Sequence, residues 1–449
     1  MTTPEQELSY PDGPPTDIIG GHLISLRRDS LGFLTENMQY GDITHIKFLK
    51  YDGYQVNHPD LIRQVMTTDN AIWHKSIIYK RQLKDYLGDG ILTVDGDFWR
   101  NQRKLMQPAF HVKRISAYAD TMVDYALHML EDWRDGEVRD VADDMMAVTL
   151  NIVGKTLFDA DFRKESDQVS EALGFMLEEI VHASQQIFHL PEWIPTPTKY
   201  RKQRTIDMLD DVVMPIIQAR RASGEDTGDL LSMLLMAEDE DGNSMSDQQL
   251  RDEAVTLVLA GHETTANALT WTLYLLSQNP EIYEKLQAEI DAVLGSRPAT
   301  MEDLRQLSYT EQVIKESMRV LPPVWSVARQ ARETTELGGY PIRKYATAVI
   351  PIWGVHHDER WYPDPYQFKP ERWTEENEAQ IPRYAYLPFG AGPRVCVGNS
   401  FAMMEAVLVL ATILQKVHVS LVEGHKVEPE PLLTLRPKHG MKMIVTRRN

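Results

Sequence analysis

Ser246-Asp-Gln-Gln249 has the spacing of a capping box, with Ser246 as N-cap and Gln249 at the third helical position. From there the text is helical to Gln278, where Asn279-Pro280 stops it. Roughly thirty residues rising about 1.5 Å each give a helix of about 45 Å, long enough to cross a whole domain. Its middle, LVLAGHETTANALTW, is apolar enough to be buried, yet it carries His262, Glu263, Thr264 and Thr265. If Thr264 and Thr265 bond backbone carbonyls and Glu263 pairs with an arginine, the run is structural. It nevertheless costs stability, because glycine lowers helix propensity and the carboxylate must be desolvated. Function is the better account of that cost.

Around this helix the sequence predicts a mainly α protein with small β-sheets. Residues 59 to about 290 show i, i+3, i+4 apolar spacing, whereas the second half adds short β candidates at Ala346–Trp353 and Lys442–Thr446. Residues 40–57 alternate polar and apolar types and reach an Asp-Gly turn signal, which predicts a hairpin. There is no internal repeat, and proline and glycine never collect into a linker, so residues 1–449 read as one domain. A net charge of −19 argues against nucleic acid or an anionic membrane surface as a general partner. The N-terminal text lacks a signal pattern, and no run of about eighteen apolar residues suggests a membrane anchor. With one cysteine, the expectation is a soluble cytoplasmic protein.

That cysteine, Cys396, lies in FGAGPRVCVG, between glycine punctuation and an apolar helical run, NSFAMMEAVLVLATIL. Unpaired N–H groups and the dipole at the coming helix favour its thiolate. Gly390, Gly392 and Gly398 allow turns and the close approach of a flat ligand. Such a thiolate can be a nucleophile, a zinc ligand or an axial ligand to haem iron. Zinc has little support, since no second cysteine or His/Cys cluster at ligand spacing accompanies it. His356-His357-Asp358 reads as structural, because neighbouring histidines on an extended segment face opposite ways.

Phe389, Gly392, Arg394, Cys396 and Gly398 fill a pattern that resembles the haem-binding loop of the cytochrome P-450 family. Glu316-x-x-Arg319 is similar to the family's K-helix pair, and Arg372 in Pro370-Glu-Arg-Trp373 to the arginine that completes its Glu–Arg–Arg cluster. Ala260–Thr265 resembles the oxygen-activation motif of the long I helix, and Trp99-x-x-x-Arg103 the propionate-binding C-helix pair. The motifs keep the family's order across essentially the whole chain. The resemblance implies the P-450 fold, with haem b (iron protoporphyrin IX) held between a central I helix and an L helix. Cys396 would bind the iron, with Trp99, Arg103, Arg329 and Arg394 toward the propionates. Glu316, Arg319 and Arg372 would form a buried scaffold for the cysteine loop.

The activity so implied is monooxygenation: one atom of O2 enters a lipophilic small molecule, by hydroxylation or epoxidation. Glu263 would relay protons and Thr264 would hold a water or hydroperoxide, while Gly261 would let the helix kink or widen there. No dinucleotide fingerprint or fused redox segment is present, so a separate ferredoxin or flavodoxin is implied. Lys104, Lys113, Arg114 and Arg383 are its candidate basic patch.

Pocket walls are expected from Ile77–Leu92, Met176–Ile194, Ala260, Val324–Val327 and Leu433-Thr434, mostly apolar. Tyr79, Lys80 and Arg81 are candidates for receiving a carboxylate, against a solvated charge run. Fatty acid, terpenoid and polyketide substrates all fit. Competing readings are a peroxide-driven or isomerising haem-thiolate enzyme, a non-catalytic haem sensor, and a cysteine hydrolase without haem.

Overall fold

The computed structural model describes residues 9–16, 20–48, 51–163, 166–184, 196–238, 242 and 244–448. The predicted long helix spans Asp247–Gln278, 32 residues, with both capping-box bonds formed. Ser246 Oγ accepts from the Gln249 N–H at 3.2 Å, and the Ser246 N–H donates to Gln249 Oε1 at 2.9 Å. These satisfy donors that would otherwise be orphaned at a helix start. This central helix packs against Val141–Phe158, Ser308–Val320 and Asn399–Lys416. It is α-helical throughout, with no π-type widening at Gly261. What that glycine provides is close packing: a Cβ there would lie 2.9 Å from Val153 Cγ2. One turn from Val153, Thr149 Oγ1 donates across the same seam to the His262 carbonyl at 3.1 Å.

The β structure is small, as expected. A five-stranded sheet runs in the order Ile43–Phe48, Tyr51–Val56, Thr347–Ile350, Val327–Ala331, Trp73–His74, and only the second and third strands are parallel. Val138–Asp140, Lys442–Arg447 and Val417–Leu421 form a second sheet, and Pro429–Pro431 pairs with Leu435–Pro437. The predicted hairpin exists, but Asp52-Gly53 is not its turn. Asp52 pairs with Lys47 and Gly53 with Ile46 inside the second strand, and residues 49–50 lie outside the described ones. The Asp52 carboxylate meets His45 Nε2 at 3.1 Å, a cross-strand contact that holds it in the ladder.

Ala346–Trp353 is strand only over Thr347–Ile350; after Pro351 the chain turns helical at Ile352–His356. His356 and His357 therefore lie at a helix end and not on an extended segment, and both are buried. They are structural all the same. His356 Nε2 accepts from the Leu387 N–H at 2.9 Å, and His357 Nδ1 lies 2.8 Å from the Trp353 carbonyl. The large apolar cluster is assembled by the helices, while a second surrounds the five-stranded sheet. Residues 356–396 run from one to the other.

Candidate active site

Between Leu250 and Leu276 the central helix is buried on nearly every side. Ala260 is exposed and Gly261, Thr264 and Tyr274 are half-buried; the first three share one face. A helix enclosed by protein that bares one face at its middle borders an interior surface. Thr264 lies on that face, with its hydroxyl donating to the Ala260 carbonyl at 2.7 Å. Glu263, one residue earlier, is buried and turns elsewhere: Oε1 accepts from Thr434 Oγ1 at 2.6 Å, and Oε2 has no partner. Burial pushes the Glu263 carboxyl up to about 7, against the pull of Thr434 and Arg436. No hydrogen bond joins Glu263 to Thr264, so the expected acid–alcohol pair is adjacent but not directly connected.

Cys396 lies two residues before Gly398, the N-cap of helix Asn399–Lys416. Its N–H donates to the Phe389 carbonyl at 2.9 Å, which folds the loop back on itself. Arg103 Nη1 donates to the neighbouring Val395 carbonyl at 2.8 Å. Arg103 thus reaches the cysteine loop directly. The thiol is accessible yet enclosed by protein on most sides, so the surface it meets is again an interior one. Burial raises its pKa, outweighing the Gly398 N–H and Arg103. Desolvation thus works against the thiolate that the loop's N–H groups favour, and a cation at the sulfur would offset it.

Gly390 and Gly392 adopt φ of 69° and 68°, where side chains are strained. Backbone approaches Gly392 closely: a Cβ there would overlap the Met66 carbonyl oxygen. Gly398 has a φ of −92°, and the nearest atom to a Cβ would be Phe110 Cε1 at 3.7 Å. Phe389 is half-buried against the helical core.

Beside the loop, cations gather around Asp95. The Arg394 guanidinium lies 3.8 Å from the Trp99 ring centre and donates to the Val94 carbonyl at 3.0 Å and to Asp95 Oδ1 at 2.5 Å. Lys80 Nζ meets Asp95 Oδ2 at 3.0 Å, and Lys75 Nζ donates to the Ile91 carbonyl at 3.1 Å and to that of Leu92. Burial, then Arg394 and Arg329, push Lys75 well below the ordinary lysine range; burial and Arg329 bring Arg394 down to about 10. Lys80, Arg394 and, at 3.9 Å, Arg332 thus meet the Asp95 carboxylate, while Lys75 and Arg329 lie near enough to act on Arg394, so basic groups cluster next to Trp99. Such a cluster fits a ligand with two carboxylates at its edge, as haem has. Lys80 is committed to Asp95, which removes it from the candidate carboxylate receptor; the Tyr79 and Arg81 side chains lie outside the described ones.

Glu316 and Arg319 are both fully buried, and Arg372 nearly so. Arg372 Nε reaches Glu316 Oε1 at 3.3 Å, and the Trp373 indole reaches Oε2 at 2.9 Å. Arg319 also donates to the carbonyls of His356, Pro365 and Gln367 at 2.8, 2.7 and 3.1 Å. Every charge is met, as a buried network requires.

Val324, Val327 and Leu433 are half-buried on loops and a strand edge, with Trp325 Nε1 donating to the Leu432 carbonyl at 2.8 Å. Ile77–Leu92 is mostly helix (Ile77–Leu87), and its end is clamped to the central helix. The Asp89 N–H donates to Asp252 at 2.8 Å and the Ile91 N–H to Glu253 at 2.9 Å. Of Met176–Ile194, residues 185–194 lie outside the described ones.

Sequence reasoning missed Lys75 and Glu405, and it named Thr434 as pocket wall without its bond to Glu263. Nothing near Lys75 marks it. Glu405 had a signal, a lone carboxylate within AMMEAVLVL: it is fully buried, faces Thr265 across the helix pair, and burial pushes its carboxyl well above the usual range.

A mainly helical fold whose one thiol opens to an interior surface beside a cluster of half-buried cations is the architecture of a haem-thiolate protein. The cytochrome P450 family model matches residues 11–445, and the chain belongs to that family. It is 34% identical over 428 residues to cyclooctatin synthase of Streptomyces melanosporofaciens, covering 95% of this chain and 92% of that one. Pentalenene oxygenase of Streptomyces avermitilis is 32% identical over 431 residues, 95% of each chain. Cytochrome P450 4V2 of Mus musculus is 34% identical over 466 residues, 96% of this chain and 88% of that one. The protein is a monooxygenase of lipophilic small molecules, and its cofactor is haem b. Among the described residues, no helix is long and apolar enough to cross a membrane.

Proposed function

We propose that this single unit of residues 1–449 binds haem through Cys396 and oxygenates a cyclic terpenoid with electrons from a separate ferredoxin or flavodoxin. The accessible thiol inside the fold carries the reading. When bound, haem supplies the activation of O2 and the transfer of one oxygen atom. Arg103 and the Gly398 N–H hold the loop and temper the charge on sulfur. Lys75, Arg329 and Arg394 would receive the propionates, with Trp99 as the platform under Arg394.

On the opposite side, Glu263 would release and recover a proton at its unpartnered Oε2, and Thr264 would pass it on by turning from the Ala260 carbonyl. Ala260, Val324, Val327 and Leu433 would hold the substrate and exclude water. The terpenoid class is supported by relatives named pentalenene oxygenase and cyclooctat-9-en-7-ol 5-monooxygenase. For the donor, Arg100, Arg103, Lys104, Lys113 and Arg114 border one broad concavity on a chain of net charge −19; Arg383 is not part of it. A lone thiol is compatible with the cytoplasm, the compartment proposed. The carbon monoxide difference spectrum of the reduced protein tests the ligand. Native protein should give the thiolate-ligated band and Cys396→Ser should lose it; an identical Soret band in Cys396→Ser overturns the assignment.

A further inference from the structure

The Glu263 carboxylate is held from outside its own helix. Thr434, between strands Pro429–Pro431 and Leu435–Pro437, places its hydroxyl 2.6 Å from Glu263 Oε1. Asn267, one turn beyond Glu263, donates from Nδ2 to the same Thr434 oxygen at 3.2 Å. A hydroxyl has one proton, so with Asn267 donating to its oxygen, that proton is directed to Glu263.

The loop carrying Thr434 is itself fixed on two sides. Its Leu435 N–H donates to the Pro323 carbonyl at 2.8 Å, and the Leu435 carbonyl accepts from Trp271 Nε1 at 2.9 Å. Pro323 precedes Val324, and Leu433 precedes Thr434, so the hydroxyl that grips the acid sits among the proposed substrate-pocket residues.

We propose that Thr434 is the positioning residue for Glu263: its hydroxyl, aimed by Asn267 and carried on the pocket loop, fixes which carboxylate oxygen stays unpartnered. This rests on the proton-relay reading of Glu263. Without Thr434, either oxygen can turn to either side, and the carboxylate loses a donor that favours its ionised form. Among the described residues the charge that acts on it is Arg436, which is 3.2 Å from both Glu430 and Glu178. Thr434 therefore carries the neutral half of the control over an acid that burial has raised to about 7.

The test uses haem-loaded Thr434→Val and Thr434→Ser, with Glu263→Gln and Thr264→Ala as references. Infrared difference spectra against Glu263→Gln follow the protonated Glu263 carboxyl as pH is raised. In Thr434→Val that band should persist about tenfold lower in proton concentration than in the native enzyme, and shift as the hydrogen bond is lost. Peroxide released per NADPH should rise several-fold, while Thr434→Ser restores both readouts. An unchanged band position and titration in Thr434→Val overturns the proposal. So does a change in substrate spin-shift affinity with coupling intact, which would make Thr434 pocket wall alone. If Glu263→Gln itself stays fully coupled, the relay reading fails, and with it the role of Thr434. If Glu263→Gln uncouples and Thr434→Val does not, only the positioning role fails.

Discussion

Arg319 donates to both carboxylate oxygens of Glu316, at 2.9 Å each, with neither side chain reaching solvent. The pair is three residues apart on one helix, but its consequences lie elsewhere. Arg319 holds the His356 carbonyl, and the His356 ring accepts from the Leu387 N–H. Leu387 accepts from Gly390, and Phe389 from Cys396. A short chain of hydrogen bonds thus runs from the buried ion pair to the thiol loop.

Glu316→Ala should therefore lose haem incorporation. Removing one partner leaves Arg319 charged and unpaired in the interior, which costs roughly 3–5 kcal/mol. The haem-to-protein absorbance ratio of purified material measures this; a stable, haem-loaded Glu316→Ala protein would count against the scaffold.

Gly392→Ala should disturb the same loop from its other side. The added Cβ would meet the Met66 carbonyl at 2.0 Å on a backbone whose φ is 68°, so strain and overlap act together. The melting temperature and haem content should both fall, and a variant that keeps both excludes the close approach.

Thr264→Ala should keep the haem spectrum while sending NADPH electrons to peroxide. The threonine is the hydroxyl on the bared face of the central helix, and alanine keeps the helix while deleting it. Product formed per NADPH should drop several-fold; unchanged coupling refutes the role.

Glu253 predicts a pH dependence of stability. Burial holds its carboxyl at about 7 when folded, with Asp252 adding to the rise and the Ile91 N–H and Lys75 opposing it, against 4.5 when unfolded. The folded state binds the extra proton between those values, so stability present below about pH 4.5 is lost as pH rises to about 7, by roughly 3 kcal/mol at most. Glu253→Gln should flatten that part of the profile in thermal melts between pH 5 and 8. A slope equal to that of the native protein would assign the effect to other groups.

Reduction by an acidic ferredoxin should slow as salt increases, because the basic concavity around Lys104 and Arg114 acts through screened charge. A rate independent of ionic strength rules the concavity out as the docking surface.

Short-range physics made much of this readable in one dimension. The capping box at Ser246, the stop at Asn279-Pro280 and the Glu316–Arg319 spacing depend on residues within a few positions, so the sequence states them directly. The cysteine loop was legible for the same reason. Asp52-Gly53 misled, because a local turn signal yields when a neighbouring strand offers it a ladder. Tertiary packing alone decided that Thr434 grips Glu263 from 171 residues away, that Lys75 joins Arg394 and Arg329, and that Arg103 bonds the Val395 carbonyl beside the thiol. Those contacts follow from how whole helices and loops settle against one another, which no local pattern encodes.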